Sequence, residues 1–328
     1  MKLRRNEKEI YIITIKKRLK RVKKHSWKHK TSSRRISDRI NAPEKFYLDD
    51  KISRKLLLNF VCRIRRASLS GKIVRISFHD TKVLHPCGTL FFVSNVINII
   101  EKNHCTIQCG YPKDNTVEQL FQHIGLLKLF GLQERLKISS NNVKNWHFLT
   151  GVSVDPTDLS IIFDEYKEFI NEEKSSDLYG VITEAITNTI QHAYPDESTE
   201  KRWWIFSQQM DNKLFIAIYD HGMGIPESLA PKLLDNITYG KRYGRDAMMI
   251  KIAVSSDRTR TKLDYRGKGL PEMLEFAKRS ETGGFVIHSL SGGYKYNSRQ
   301  KTEDQRKYKE NIKGTLIQWE IKIDMESK

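Results

Sequence analysis

Residues 179–193 of this 328-residue chain, Tyr-Gly-Val-Ile-Thr-Glu-Ala-Ile-Thr-Asn-Thr-Ile-Gln-His-Ala, constrain it more than any other stretch. Val181, Ile182, Ala185, Ile186 and Ile190 recur at helical spacing and predict an apolar stripe docked on a core. Glu184 and Asn188 stand four apart, so a helix projects them from one face, one turn from each other. A carboxylate and an amide beside a buried stripe are costly to desolvate unless something engages them. A metal-bound nucleotide would engage both. Glu-x-x-x-Asn pairs are common by chance and most are solvated, so the weight comes from the glycine motifs that follow.

Ile216-Ala-Ile-Tyr-Asp-His-Gly-Met-Gly sets Asp220, Gly222 and Gly224 at the end of an apolar strand. Arg266-Gly-Lys-Gly-Leu-Pro-Glu-Met sets Gly267, Lys268 and Gly269 where a helix begins, with Pro271 suited to its first turn. Lys313-Gly-Thr-Leu-Ile-Gln-Trp-Glu-Ile heads a final strand with Gly314 and Thr315. In this order the four segments resemble the ATP-binding domain of the GHKL superfamily: gyrase B subunits, heat-shock chaperone ATPases, histidine kinases and MutL. The resemblance covers roughly residues 143–325. Within the superfamily, Glu-Ala-x-x-Asn-x-x-x-His-Ala-Tyr is most similar to the anti-sigma-factor serine kinases. It implies ATP and Mg²⁺ as cofactors.

The chemistry of each motif is arguable on its own. A strand-end carboxylate, Asp220, can accept from the exocyclic amine of adenine, with Thr315 making a second, water-bridged contact to the ring. Gly222 and Gly224 let the backbone turn closely past a base. Gly267 and Gly269 free backbone N–H groups at a helix N-terminus, where phosphate is favoured, and Lys268 adds charge there. Asn188 offers Mg²⁺ a hard oxygen, and Glu184 could act as general base. Alone, an Asp before Gly-x-Gly is an ordinary turn residue and Gly-Thr carries almost no signal. His192 reads either as a helix-end histidine or as a neighbour of the phosphates.

Length and composition fit two domains: 328 residues with 38% hydrophobic content can build two cores. No run approaches the roughly 20 apolar residues of a membrane helix, and the N-terminus is basic throughout rather than basic then apolar. The expectation is a cytoplasmic protein with no membrane contact. Cys62, Cys87, Cys105 and Cys109 then read as reduced thiols rather than a zinc site. Residues 1–40 hold 16 Lys/Arg against Glu7, Glu9 and Asp38, a local +13 of the total +19. This leader (1–42) reads either as a solvated tail or as an electrostatic arm for nucleic acid or an acidic partner.

Between residues 43 and 140 the pattern alternates: a strand at Lys72–Phe78, an amphipathic helix at Gly88–Glu101, a strand at Cys105–Cys109 and a helix at Thr116–Leu127. That order implies a parallel or mixed sheet. Ile76-Ser-Phe-His-Asp-Thr-Lys-Val-Leu-His-Pro-Cys-Gly-Thr-Leu resembles the STAS domain of anti-sigma-factor antagonists, whose loop here bears a phospho-acceptor serine. Pro86-Cys87 precedes Gly88, so that serine is missing; Thr81 and Thr89 are the nearest hydroxyls. The expected fold is α/β: a GHKL-type sandwich over 143–328, a mixed sheet with helices on one face, preceded by a smaller STAS-like α/β docking domain. Helices are expected at 155–171 and 175–194, and strands at 202–208, 213–220, 285–290, 294–298 and 315–323. The 225–266 segment is too long for a simple connection and reads as a lid. Its Lys241, Arg242, Arg245, Arg258 and Arg260 serve either solubility or the γ-phosphate.

Two function classes follow. One is a partner-switching protein serine/threonine kinase or slow ATPase, with a protein partner as substrate. The other is a nucleotide-gated binding module, for protein or nucleic acid, without useful turnover. A homodimer is compatible with either. The chain ends five residues after Ile323, which argues against the gyrase-like architecture, where a following domain supplies a phosphate-contacting lysine. Only His147 lies in 130–150, which argues against a sensor histidine kinase.

Overall fold

The computed structural model describes residues 39–70, 73–154, 159–160, 163, 166, 170–195, 200–210, 212–233, 242–255, 269–279 and 283–323. The leader through residue 38, Gly267, Lys268, Lys241, Arg258 and Arg260 lie outside the described residues. The chain is a mixed α/β protein with both parallel and antiparallel sheets, and it divides into two compact units, residues 1–144 and 145–328.

In the first unit, β1 (Ile40–Asn41), β3 (Ile73–Ser77) and β5 (Thr106–Cys109) form a parallel sheet in the order β1-β3-β5. A smaller parallel pair joins β2 (Lys45–Phe46) to β4 (Val83–Leu84). β1 lies inside the stretch expected to be leader, because the buried Ile40 and Ala42 alternate with the exposed Asn41 and so read as strand. Helix α1 (Lys51–Ser68) starts at Asp50, whose Oδ1 accepts from Ile52 N and Ser53 N at 3.0 and 2.8 Å. Its Leu57, Phe60, Val61 and Ile64 are buried, and Phe60 stacks with Phe92 of α2 (Pro86–Asn103) at 5.6 Å between centroids. Phe46, Phe78 and Phe121 complete this aromatic core. The remaining helices among the described residues of this unit are α3 (Asn115–His123), α4 (Leu126–Leu129) and α5 (Asn141–Lys144).

Helix α2 is not amphipathic as expected. Every residue from Pro86 to Val96 is buried, including Thr89, Ser94 and Asn95. Gly88 permits this, since a Cβ there would collide with the backbone carbonyl of Phe46. Asn95 is compensated by Arg65 Nη2, 2.8 Å from its Oδ1. Thr81 and Thr89, the hydroxyls nearest the loop, are fully buried, and Thr81 Oγ1 donates to Pro43 O. Neither is accessible for phosphorylation in this conformation.

The second unit is a five-stranded antiparallel sheet in the order β6-β7-β8-β10-β9: β6 (Trp146–Gly151), β7 (Trp203–Met210), β8 (Lys213–Asp220), β9 (Gly284–Asn297) and β10 (Thr302–Lys322). Helices α6 (Glu172–Asn188) and α9 (Gly269–Arg279) cover one face, where Trp319 Nε1 donates to Met273 O of α9 at 3.4 Å. The expected 155–171 helix is represented by Leu159, Ser160, Phe163 and Tyr166, all helical; Tyr166 Oη donates to Ser207 Oγ on the same face.

Two expectations fail here. The strands foreseen at 285–290 and 294–298 are one strand, β9, paired with a β10 that begins at Thr302 rather than Thr315. Gly292-Gly293, between the two expected strands, lies inside β9. It marks a close approach, not a reversal: a Cβ on Gly292 would lie 2.6 Å from Ala247 N of α8 (Arg242–Val254). The described part of the 225–266 segment is not loop either. It is α7 (Ile225–Leu233) and α8, whose Ala247, Met249, Ile250, Ala253 and Val254 are buried.

Candidate functional site

Helix α6 begins at Asn171, whose Oδ1 accepts from Lys174 N, with Glu172 and Glu173 in the first turn where acids are favoured. It buries Val181, Ile182, Ala185 and Ile186 of the anticipated stripe and also Leu178, while Ile190 is half-buried in the turn that follows, and it leaves Glu184 and Asn188 half-buried beside the stripe. Asn188 Nδ2 donates to Glu184 Oε1 at 3.2 Å, so no described group engages Asn188 Oδ1. The helix then loosens into a π-turn, Thr189–Ala193, a geometry frequent at functional positions. His192 is half-buried in that turn.

The π-turn brings Ala193 O to the loop after β8. Met223 N donates to it at 2.7 Å, and Gly222 passes so close that a Cβ would collide with the same oxygen. Tyr194 reinforces the join, its hydroxyl donating to Arg202 O and accepting from His221 N. Burial raises the Tyr194 phenol, and the nearby Asp220 charge raises it further. Asp220 closes β8 at 5% exposure. Its Oδ1 accepts from Gly222 N at 2.7 Å, an Asx-type turn, and from Thr315 N at 3.3 Å. No described residue donates to Oδ2. Burial lifts this carboxyl from 3.8 to about 7, although the two backbone N–H groups pull the other way.

Thr315 reaches Asp220 because β10 runs beside β8, with Leu316 opposite Tyr219. Gly314 turns with φ +87° over the backbone of Asp220, where any Cβ would strike the Asp220 carbonyl. Gly224, φ +86°, lies against Ser289 and Leu290 of β9. Gly269, the first residue of α9, completes the ring: a Cβ there would collide with Glu184 Oε1 and lie 2.8 Å from Asn188 Nδ2. A carboxylate therefore sits against a helix N-terminus, the place a helix favours an anion.

The fold thus joins Glu184 and Asn188 to Gly269, Asp220 to Gly222 and Thr315, and the π-turn of α6 to the Gly222 turn. Gly267 and Lys268 lie outside the described residues. Two participants carry no sequence signal. Ser289 is fully buried, and its hydroxyl touches Ile225 N, Gly314 O and Thr315 Oγ1. Leu290 holds φ +51° in a buried strand. Among the described residues, no group of three or more His, Cys, Asp or Glu could hold a metal ion. Burial raises the thiols of Cys105 and Cys109 to about 11 and about 12, which leaves them poor nucleophiles. No helix among the described residues is long and apolar enough to cross a membrane. No protein-family model matches the chain, and no curated protein sequence matches it.

Proposed function

We propose that the second unit is a GHKL-type ATP-binding domain, and that the chain is a partner-switching protein kinase or slow ATPase built on it. The observation that carries the reading is Asp220. A buried carboxylate with one oxygen satisfied by two backbone N–H groups and the other unengaged is an acceptor reserved for a ligand. The glycines after it, Gly222 and Gly224, let Ala193 O and the Ser289–Leu290 step pack where a Cβ would otherwise stand, which holds the turn beside the carboxylate in place. In this reading Asp220 takes the exocyclic amine of adenine, and Thr315 adds the second contact.

Asn188 Oδ1, a hard oxygen, would hold Mg²⁺. When bound, the ion neutralises charge on the phosphates. Glu184, hydrogen-bonded by Asn188 and set against Gly269, would accept a proton from a water or a hydroxyl. Gly269, with Gly267 and Lys268, would receive the phosphates at the start of α9. The first unit is read as a STAS-like docking domain for a protein partner, and the basic leader as an arm for a polyanion.

The experiment is titration calorimetry of ATP with Mg²⁺ into the full chain, followed by γ-labelled ATP. Label on a protein identifies a kinase, label in free phosphate an ATPase, and binding with neither a nucleotide-gated module. No heat and no displaceable fluorescent nucleotide would remove the proposal.

A further inference from the structure

We infer that Ser289, which belongs to none of the glycine motifs, is a positioning residue: it fixes the hydrogen-bond polarity of Thr315 and pins the start of α7 to it. The inference rests on the nucleotide reading above and assigns the origin of its base discrimination.

Ser289 is fully buried in β9, and its hydroxyl meets groups from two other segments. Ile225 N, at the head of α7, donates to it at 3.0 Å. Gly314 O lies 3.2 Å away and Thr315 Oγ1 3.0 Å away. A hydroxyl owns one proton and two lone pairs. Gly314 O can only accept, so it takes the Ser289 proton. Ile225 N–H can only donate, so it takes one lone pair. The remaining lone pair leaves Thr315 a single role, that of donor to Ser289. With its proton spent, Thr315 offers a ligand lone pairs alone. Beside it stands the Asp220 carboxylate, also an acceptor. Two acceptors side by side suit an exocyclic amine, directly or through water, and disfavour a ring carbonyl at the same position.

The backbone is distorted to bring these groups together. Ser289 pairs with Thr315 but Leu290 pairs with Ile312, so β10 carries two extra residues across one step of β9. Leu290 takes φ +51°, a left-handed conformation rare for a non-glycine residue. Gly224 is pressed onto the same spot, with a Cβ there 2.9 Å from both Ser289 Oγ and Leu290 Cγ. Strained backbone around a saturated hydroxyl is what a positioning role demands.

The test uses the full chain carrying Ser289→Ala, Ser289→Thr or Thr315→Val, titrated with ATP and with inosine triphosphate, which carries a carbonyl in place of the amine. Hydrogen exchange at the Ile225 amide is followed without nucleotide. Ser289→Ala releases the Thr315 proton, so the preference for ATP over inosine triphosphate shrinks by about 2- to 10-fold, the worth of one neutral hydrogen bond. The same variant speeds Ile225 exchange, while Ser289→Thr retains both properties. Thr315→Val reproduces the loss of preference, and does so even if Ser289→Ala fails to fold. An undiminished preference in Thr315→Val, or in a folded Ser289→Ala, overturns the inference. If the wild type binds no triphosphate at all, the nucleotide reading falls; unchanged Ile225 exchange in Ser289→Ala then overturns the pin as well.

Discussion

Replacing Asp220 by Asn should make the protein more stable above neutral pH while weakening the proposed binding of ATP. Burial raises the Asp220 carboxyl from 3.8 to about 7, so between those pH values the folded chain holds a proton that the unfolded chain has released. A raised carboxyl therefore contributes stability that is fully present below 3.8 and lost as pH rises through about 7. Three pH units correspond to at most about 4 kcal/mol. Asn carries no charge and escapes this loss. Its Oδ1 can still accept from Gly222 N and Thr315 N. Its Nδ2, however, becomes a buried donor without a described partner, at a cost of about 1–3 kcal/mol. The net gain at pH 8 is then about 1–3 kcal/mol, and near pH 4 the sign reverses. On the proposed reading that same Nδ2 would face the adenine amine donor to donor, and losing a charge-assisted hydrogen bond should weaken ATP about 10- to 100-fold. Urea unfolding of the nucleotide-free protein at pH 4.5 and pH 8, paired with ATP calorimetry, reads both effects. Parallel pH profiles for the two proteins, together with unchanged ATP affinity, would refute the reasoning.

Glu184→Ala should keep ATP but lose about 10²–10⁴-fold in phosphoryl transfer, measured with γ-labelled ATP, whereas Asn188→Ala should weaken binding only when Mg²⁺ is present. Turnover at the wild-type rate in Glu184→Ala would reduce that residue to a structural one. Gly292→Ala places a methyl 2.6 Å from Ala247 N, so α8 must lift off the β9–β10 hairpin; overpacking of this kind costs about 1–3 kcal/mol and should lower Tm without changing ATP affinity. Removal of residues 1–37 should abolish binding to a labelled duplex in anisotropy titrations, with a log–log salt slope near −0.9 per phosphate contact in the full chain, and leave ATP affinity unchanged. The cut stops short of Ile40 because that residue is buried in β1.

The α6 stripe, the β7–β8 pair and the strand-end position of Asp220 were legible in the sequence, because local periodicity and burial agree there: Val181, Ile182, Ala185 and Ile186 face the core as their spacing requires. Gly222 and Gly224 were legible as a turn, but a glycine can also serve a crossing that the sequence does not show. Gly88 and Gly292 exist because another element passes over them, Phe46 in one case and Ala247 in the other, and no local pattern encodes a crossing. The same reason hid β1 inside a basic leader, the complete burial of α2, and the two helices of the 225–266 segment. Ser289 and Leu290 are the extreme case. Serine and leucine near a strand end announce nothing, and their importance comes from a β10 register shift set by residues more than twenty positions away. Which residue types could serve the proposed nucleotide was thus decided by sequence, since chemistry is local. Which atoms are left free to serve it was decided by tertiary structure. Asp220 spends Oδ1 and keeps Oδ2, and Asn188 spends Nδ2 and keeps Oδ1, only because Thr315 and Glu184 stand where the fold puts them.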